Sequence, residues 1–268
     1  MTFKALVLAG ARAGHDPLAV HAGVAAKALI EIGGQTMLAR VVHALRSAGA
    51  GPIYVSCSID AVRDHARALG AIPIQAESGP SASARAGLAL AGAPLLMTTA
   101  DHPLLRAEWI GAFLDMAPPG DLVAMLAQRT VIERDAPATR RTYLRFADGD
   151  WSGCNLFWLA TPAAGAALAF WSQVERDRKR PWRIVRRVGP RLLLRHAVGR
   201  LSLVDAIDAL GRQLGVKVRI VQSPSGLAAV DVDKPSDLNL VRTMLSGAPM
   251  PSEDNASASS SSYLRQAD

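Results

Sequence analysis

The sequence predicts an α/β fold: a doubly wound, mostly parallel sheet with helices on both faces, followed by a mixed second half. Short apolar runs alternate with helix patterns of roughly 10–12 residues, which indicates βαβ units. The run Leu95–Thr99 has the continuous apolar character of a strand that helices cover on both faces. Half of the residues are apolar and only 5% are aromatic, which favours helices packed on a sheet over an aromatic-rich β-sandwich.

The first half of the chain alternates strands and helices from its start. An apolar strand, Ala5–Ala9, leads into a loop of small residues, Gly10–Gly23, and then to Lys27. An amphipathic helix is predicted at Thr36–Ala48, with Thr36 as its N-cap. The other strands and helices predicted for this half are Ile53–Ser56, Asp60–Leu69, Ile72–Gln75, Ser81–Ala91, Leu95–Thr99, Arg106–Ala117 and Leu122–Ala127.

The second half does not continue this regular alternation of strands and helices. Residues 128–150 are polar and charged, with one short strand predicted at Thr142–Phe146. The further elements are an apolar and aromatic run at Asn155–Leu159, helices at Pro162–Glu175, Ser202–Leu214 and Pro235–Leu245, and strands at Val216–Val221 and Ala228–Val232. Residues 1–246 are therefore predicted to form a single domain. Residues 247–268, rich in Pro, Ser and Ala, are predicted to be a disordered tail.

The net charge of +7 is concentrated in one basic segment, residues 176–200. This segment holds ten Lys or Arg residues against one acid, Asp177, and is predicted to be helical in two pieces that break near Gly189-Pro190. A solvated helical face is the favoured interpretation, and peripheral contact with an anionic membrane surface is the less favoured one. No nucleic-acid-binding motif accompanies the segment, so a nucleic acid is not expected as a partner.

The compartment expected from the sequence is the cytoplasm. Cys57 and Cys154 have no paired spacing, which argues against a disulfide framework or a cysteine-based zinc site and fits a reducing compartment. Neither a signal peptide nor an apolar run of about 18–20 residues is visible.

The loop after the first strand is a candidate phosphate-binding site. Its residues are Leu8, Ala9, Gly10, Ala11, Arg12, Ala13 and Gly14, and Lys27 lies beyond it. Backbone N–H groups of a small-residue loop can point at an anion, and a lysine supplies a point charge. An ordinary turn that uses glycine for a positive φ is an equally good explanation of the loop alone.

Three acidic residues are candidate metal ligands. Asp101 follows a buried strand and is well placed to bind Mg²⁺, which takes one or two carboxylates together with waters and substrate phosphates. Asp231 and Asp233, two residues apart on a predicted strand, project to the same side and can complete the site, with Asp231 the better candidate. Alternatively, Asp101 caps a turn or a helix, and Asp233 caps the helix that begins near Pro235.

Two serines are candidate contacts to a nucleoside. Ser81 and Ser83 lie at the start of a predicted helix, where their hydroxyls can bond a base or a sugar. Capping of their own helix is the commoner use of such hydroxyls. The opening loop, Asp101 and the later acids all fall at the C-terminal ends of predicted strands, where ligands bind in open α/β sheets.

Taken in order, these pieces resemble the bacterial nucleotidyltransferases of the molybdenum-cofactor (MobA-like) type and the wider sugar-phosphate nucleotidyltransferase group, which have a Rossmann-like, GT-A-type fold. The resemblance spans about residues 3–245. The similar segments are Leu8-Ala9-Gly10-Ala11, Lys27, Ile32–Leu38, Gly79–Leu88, Ala100–Leu104 and Val230–Leu238. Two positions depart from the family: Ala11 replaces its second loop glycine, and His15 stands where it usually has a loop arginine.

The resemblance implies an activity and a role for each of these residues. An NMP would pass from an NTP to a phosphorylated small-molecule acceptor, with release of pyrophosphate and with Mg²⁺ as cofactor. Residues 1–127 would hold the nucleotide and residues 128–246 the acceptor, with Asn155 as an acceptor contact. Lys27 and Asp101 would be catalytic; residues 8–14, Lys27, Ser81 and Ser83 would bind the nucleotide; and Asp101, Asp231 and Asp233 would bind the metal.

Two other classes of function stay open at the level of sequence. A glycosyltransferase on a related sheet would need a nucleotide-sugar and a central D-x-D motif, which this chain has only at 148–150 and 231–233. A non-catalytic relative that binds a nucleotide or a lipid headgroup is suggested by Ala11 and His15.

Overall fold

A computed structural model of the chain describes residues 2–10, 16–177 and 189–246. The strands within these ranges are β1 (Phe3–Leu8), β2 (Glu31–Ile32), β3 (Gln35–Thr36), β4 (Ala50–Cys57), β5 (Ile72–Gln75), β6 (Leu95–Thr99), β7 (Leu122–Gln128), β8 (Leu144–Phe146), β9 (Gly149–Leu159) and β10 (Val218–Gln222). The main sheet has the strand order β10-β7-β9-β6-β1-β4-β5, and β8 pairs with β9 outside this path.

The sheet is parallel except around β9. β1 pairs in parallel with β4 and β6, β4 with β5, and β7 with β10. β9 runs antiparallel between β6 and β7, and the short β8 is antiparallel to β9. The predicted mostly parallel sheet with a mixed second half is therefore confirmed.

Helices connect the strands and cover both faces of the sheet. They are α1 (Pro17–His21), α2 (Met37–Ser47), α3 (Asp60–Ala68), α4 (Pro80–Ala91), α5 (Ala107–Met116), α6 (Arg129–Asp135), α7 (Ala164–Asp177), α8 (Pro190–Ala197), α9 (Leu203–Leu214) and α10 (Pro235–Ser246). Thr36 caps α2 as predicted, since its side chain accepts from the Ala39 N–H. Two 3₁₀ turns, Lys27–Leu29 and Gly226–Ala229, complete the described elements.

The central strand β1 shows why two layers of helices are needed. Ala5 and Val7 belong to a buried cluster that includes Leu38 and Val41 of α2 and Phe113 of α5. Leu6, between them in sequence, belongs to a second cluster that includes Leu88 of α4 and Leu168 of α7. Because alternate residues of a strand face opposite sides, both faces of this sheet are buried under helices.

The strand predicted at Ala228–Val232 is wrong. Gly226–Ala229 forms a 3₁₀ turn, and residues 230–233 lie outside the sheet ladders. The Val232 N–H donates to the Asp101 carbonyl at 2.9 Å, so this segment bonds to the loop after β6 instead of to a strand. The apolar run that suggested a strand is still buried, because Ala228, Val230 and Val232 pack into the core.

Several sequence predictions lie outside the described residues. They are the predictions for Ala11, Arg12, Ala13, Gly14 and His15, for residues 178–188 of the basic segment, and for the tail at residues 247–268. The second helical piece predicted for the basic segment is present as α8. No helix in the described part of the chain is long and apolar enough to cross a membrane.

Gly226 is predicted to be required for the approach of residues 226–233 to α6. A Cβ at Gly226 would lie 2.5 Å from the Ile132 Cα and close to the Val131 carbonyl oxygen, both backbone atoms that cannot move freely. Gly226→Ala should therefore destabilise the protein by about 1–3 kcal/mol in urea unfolding. Gly111→Ala, inside α5, is the matched control and should stabilise by up to about 1 kcal/mol, because a Cβ there would meet no described atom outside its own helix within 4 Å. Equal effects of the two substitutions would contradict this packing.

Candidate functional site

The candidate site lies where β1 and β6 end side by side. The two strands are paired in register up to Leu8 and Thr99. The Ala100 N–H donates to the Leu8 carbonyl at 3.0 Å, and the Ala9 N–H donates to the Ser56 carbonyl at 2.9 Å. These bonds continue the sheet pattern past the strand ends. They place the start of the opening loop next to the loop that carries Asp101.

Lys27 brings two distant carboxylates together at this edge. Its Nζ donates to Asp101 Oδ2 and to Asp233 Oδ1, at 2.7 Å in each case. The Lys27 and Asp101 side chains are each 21% exposed, whereas that of Asp233 is 65% exposed. We call Lys27, Asp101 and Asp233 the lysine cluster. An ammonium has three N–H donors, so one donor of Lys27 remains for a further acceptor.

The charges of the lysine cluster stabilise one another against burial. Burial alone would lower the pKa of Lys27, but the carboxylates of Asp101 and Asp233 outweigh it and raise that pKa. Burial would likewise raise the pKa of Asp101, but the ammonium of Lys27 brings it below its ordinary value. Lys27 and Asp101 are therefore both charged at neutral pH. His102, the next residue, is fully buried, and burial lowers its pKa to about 4, so its ring is neutral at pH 7.

The donor set of the lysine cluster fits a Mg²⁺ ion. Among the residues that the structure describes, none bonds to the buried Asp101 Oδ1. Asp233 presents a second carboxylate, which is exposed and bonds to the same Lys27 ammonium. Within the described residues no cluster of three or more His, Cys, Asp or Glu side chains is arranged for a metal. Mg²⁺ does not need one, because waters and substrate phosphates complete its shell around one or two carboxylates.

Asp231 lies in a different set of contacts from Asp233. Arg141 donates to Asp231 through both terminal nitrogens, with Nη2 at 3.0 Å from Oδ2, and Asn155 Nδ2 donates to the same Oδ2 at 3.0 Å. The Arg141 and Asp231 side chains are only 15% and 12% exposed. Burial raises the pKa of Asp231, and Arg141 partly opposes that shift. The sequence preferred Asp231 to Asp233 as a ligand, but in the structure it is Asp233 that bonds to Lys27, whereas Asp231 is bonded to Arg141 and Asn155.

Asn155 has an unusual backbone. Ala124 of β7 pairs with Phe157 of β9, whereas Leu126 pairs with Gly153, so β9 carries two extra residues in this interval. Asn155 lies in this bulge with a φ of 50°, a left-handed conformation that Asn tolerates better than most residues. The bulge turns its amide group toward Asp231, away from the regular strand pattern.

Ser81 and Ser83 are both buried and both bonded within the protein. Ser81 Oγ donates to Glu175 Oε1 of α7 at 2.6 Å. Ser83 Oγ accepts from the Glu77 N–H at 2.9 Å, which closes the loop before α4. Gly10 lies beside the same loop, since a Cβ at Gly10 would be 3.4 Å from the Ala76 Cβ. The two predicted nucleotide-binding stretches are thus neighbours, although the hydroxyls themselves already have partners.

Sequence reasoning missed Arg141 and Glu175. Arg141 comes from an irregular segment between α6 and β8, where no periodicity assigns it to a face. Glu175 is one of several polar residues near the end of α7. No local pattern in the sequence distinguishes Arg141 from the other arginines of the chain.

Comparison with solved structures shows that the chain shares its fold with several transferases. A hypothetical transferase from Thermus thermophilus is 32% identical with a TM-score of 0.78, covering 89% of this chain and 100% of that one. CMP:2-keto-3-deoxy-manno-octonic acid synthetase in complex with CTP has the same fold at 16% identity, with a TM-score of 0.56 over 91% of this chain and 99% of that one. The 2-C-methyl-D-erythritol 4-phosphate cytidylyltransferase from Thermus thermophilus is also 16% identical, with a TM-score of 0.55 over 91% and 98%.

The family itself follows from the sequence profile of the MobA-like NTP transferase domain, which matches residues 5–138, half of the chain. The chain therefore belongs to the MobA-like NTP transferase family and is a nucleotidyltransferase, which confirms the resemblance seen in its motifs. A search of curated protein sequences gave no significant match.

Removal of the Lys27 ammonium is predicted to destabilise the fold in a pH-dependent way. In the wild type, the depressed pKa of Asp101 contributes stability at pH 7, and this contribution is lost as the pH falls through that pKa. In Lys27→Met, burial without a cation raises the pKa of Asp101 instead. We expect the free energy of unfolding of this variant to fall by about 2 kcal/mol at pH 7, a value that allows for the partial exposure of the pair. This loss of stability should shrink below about pH 4.

Lys234→Met is the matched control for this measurement. The Lys234 side chain is 48% exposed and its Nζ lies 4.0 Å from Asp237, so its loss should cost less than about 0.5 kcal/mol at any pH. Urea unfolding of both variants between about pH 3 and pH 7 gives the comparison. A pH-independent loss in Lys27→Met would show that Asp101 is not stabilised by Lys27.

Proposed function

We propose that the protein transfers an NMP from an NTP to a phosphorylated small-molecule acceptor, with Mg²⁺ as cofactor and pyrophosphate as the second product. The observation that carries this proposal is the lysine cluster: one ammonium and two carboxylates at the ends of β1 and β6, beside the opening loop. That combination of one cation with two metal-binding oxygens suits a triphosphate that arrives with a divalent ion.

The proposed reaction is a displacement at the α-phosphorus. A phosphate oxygen of the acceptor forms a bond to that phosphorus as the bond to the bridging oxygen of the β-phosphate breaks, and pyrophosphate leaves with the electron pair. No side chain needs to become covalently attached, so the protein acts by placing the reactants and by neutralising charge. The neutral ring of His102 adds no charge at this point.

Each residue of the cluster has a distinct role in this proposal. Lys27 would use its remaining donor for a phosphate oxygen, and its ammonium bridges Asp101 and Asp233 in the protein without substrate. Asp101 and Asp233 would hold the Mg²⁺, which neutralises the charge that develops on the phosphates. Asp231 is not part of this ligand set, because Arg141 and Asn155 already engage both of its oxygens.

The nucleotide is proposed to lie along the opening loop, from Leu8 to Gly14, and the loop before α4. Gly10 and Ala76 are neighbours, so a nucleotide on one loop is within reach of the other. Since the Ser81 and Ser83 hydroxyls are bonded to the protein, backbone groups of these loops are better candidates than the hydroxyls for direct contacts. One relative of known structure is a complex with CTP, which supports an NTP as donor.

The second half of the chain is proposed to recognise the acceptor, within a single domain of residues 1–246. Its strand β9 lies between β6 and β7 in the main sheet, so the two halves share one sheet. A reducing, cytoplasmic setting belongs to the proposal, and both cysteines, Cys57 and Cys154, are buried and free.

Pyrophosphate release is the test of this function. Wild-type protein incubated with each of the four NTPs, Mg²⁺ and a panel of phosphorylated acceptors should release pyrophosphate for at least one pair. Asp101→Asn keeps the shape of the side chain but removes its charge, and should slow the reaction by about 10²-fold or more. Asp64→Asn removes an exposed partner of Arg67 and should leave the rate unchanged.

Two outcomes would contradict the proposal. One is tight NTP binding without pyrophosphate release for any acceptor, as expected of a non-catalytic relative. The other is release of a nucleoside diphosphate from a nucleotide-sugar, as expected of a glycosyltransferase.

A further inference from the structure

We infer that Arg141 and Asn155 are positioning residues that act through Asp231 to hold the Asp233 carboxylate opposite Asp101. This inference rests on the proposed function, in which Asp101 and Asp233 hold the Mg²⁺ ion. It also replaces the acceptor contact that the sequence predicted for Asn155.

The position of Asp233 depends on its backbone. Its side chain is 65% exposed and bonds to the ammonium of Lys27. Segment 230–233 belongs to no strand, so no sheet ladder holds it. An exposed carboxylate on an irregular segment would sample many places unless the segment itself is anchored.

Anchors of two kinds hold this segment. Downstream, Asp237 Oδ2 accepts from the N–H groups of Asp233 and Lys234, at 3.1 and 3.2 Å. Upstream, the Val232 N–H donates to the Asp101 carbonyl, and the Asp231 carboxylate accepts from Arg141 and Asn155. The Asp231 contacts form the only one of these anchors that reaches across to β9 and to the segment before β8.

The geometry of this anchor is specific. The guanidinium of Arg141 approaches both oxygens of Asp231, a bidentate arrangement that fixes the carboxylate plane as well as its position. Asn155 adds a second donor to this carboxylate from the left-handed bulge of β9. Both side chains thus restrict the residue that lies two positions before Asp233.

Because the Arg141–Asp231 pair is buried, removal of Arg141 should displace the segment 230–233. The Asp231 side chain is 12% exposed, so without Arg141 its negative charge would be left largely buried and unpaired. The segment would be expected to shift until Asp231 reaches water, and Asp233 would move with it. Outer contacts of this kind typically change metal affinity or activity by about 10–100-fold when they are lost.

Binding of Mn²⁺, a probe for the Mg²⁺ site, provides a test without turnover. The probe is titrated into wild-type protein that carries a non-hydrolysable analogue of its preferred NTP, and free Mn²⁺ is followed by electron paramagnetic resonance. Arg141→Ala should raise the dissociation constant of Mn²⁺ by about 10–100-fold, with a matching rise in the Mg²⁺ concentration for half-maximal pyrophosphate release. Asn155→Ala removes one donor to Asp231 and should raise both the Mn²⁺ dissociation constant and the half-maximal Mg²⁺ concentration by a smaller factor.

Arg140→Ala is the matched control, since Arg140 is the exposed neighbour of Arg141 and should leave both constants unchanged. Arg141→Lys keeps the charge but not the bidentate geometry and should recover only part of the affinity. If Arg141→Ala does not fold, Asn155→Ala and the double variant Arg141→Met/Asp231→Leu, which replaces the buried pair by apolar groups, take its place and should also weaken Mn²⁺ binding.

Unchanged Mn²⁺ affinity in folded Arg141 and Asn155 variants would overturn the inference, even if their melting temperatures fall. A failure of the proposed function looks different. In that case the wild type itself releases no pyrophosphate, whatever the Arg141 variants do to Mn²⁺ binding.

Discussion

The ammonium of Lys27 donates to Asp101 and Asp233 at 2.7 Å each, and these contacts join positions 74 and 206 residues apart in sequence. A carboxylate as enclosed as Asp101 needs a nearby cation to stay ionised. The 3₁₀ turn that carries Lys27, the loop after β6 and the irregular segment before α10 must therefore all meet at one point. The sheet makes these contacts possible, because the parallel pairing of β1 with β6 brings their carboxyl ends to the same edge.

A second pair of charges, Arg141 and Asp231, is connected to the lysine cluster through the chain, since Asp231 lies two residues before Asp233. Arg141 and Asp231 are more enclosed than Lys27 and Asp101, and they lie on the side where the antiparallel β9 enters the sheet. The bulge at Asn155 exists only because β9 runs between β6 and β7 with extra residues opposite β7. The antiparallel β9, which breaks the parallel pattern of the first half, thus supplies the Asn155 contact to Asp231.

The fold was more predictable from sequence than the site. Alternating apolar runs and the capping threonine at Thr36 depend on local chemistry, and both appear in the structure. The strand predicted at Ala228–Val232 failed because burial alone produces an apolar run, whether or not the backbone joins a ladder. Asp233 and Lys27 were recognised as charged residues of interest, but their contact depends on a segment packed through Gly226. Arg141 carried no local signal, since its partner is 90 residues away.

The most direct measurement of this account is the position of a divalent ion in the complex with a nucleotide. A crystal of the protein with Mn²⁺ and a non-hydrolysable NTP would show the ion by its anomalous scattering. We predict one peak within bonding distance of carboxylate oxygens from both Asp101 and Asp233, with the Arg141–Asp231 pair intact. A peak bonded to Asp231, or an ion bound only by the phosphates and remote from Asp101, would contradict it.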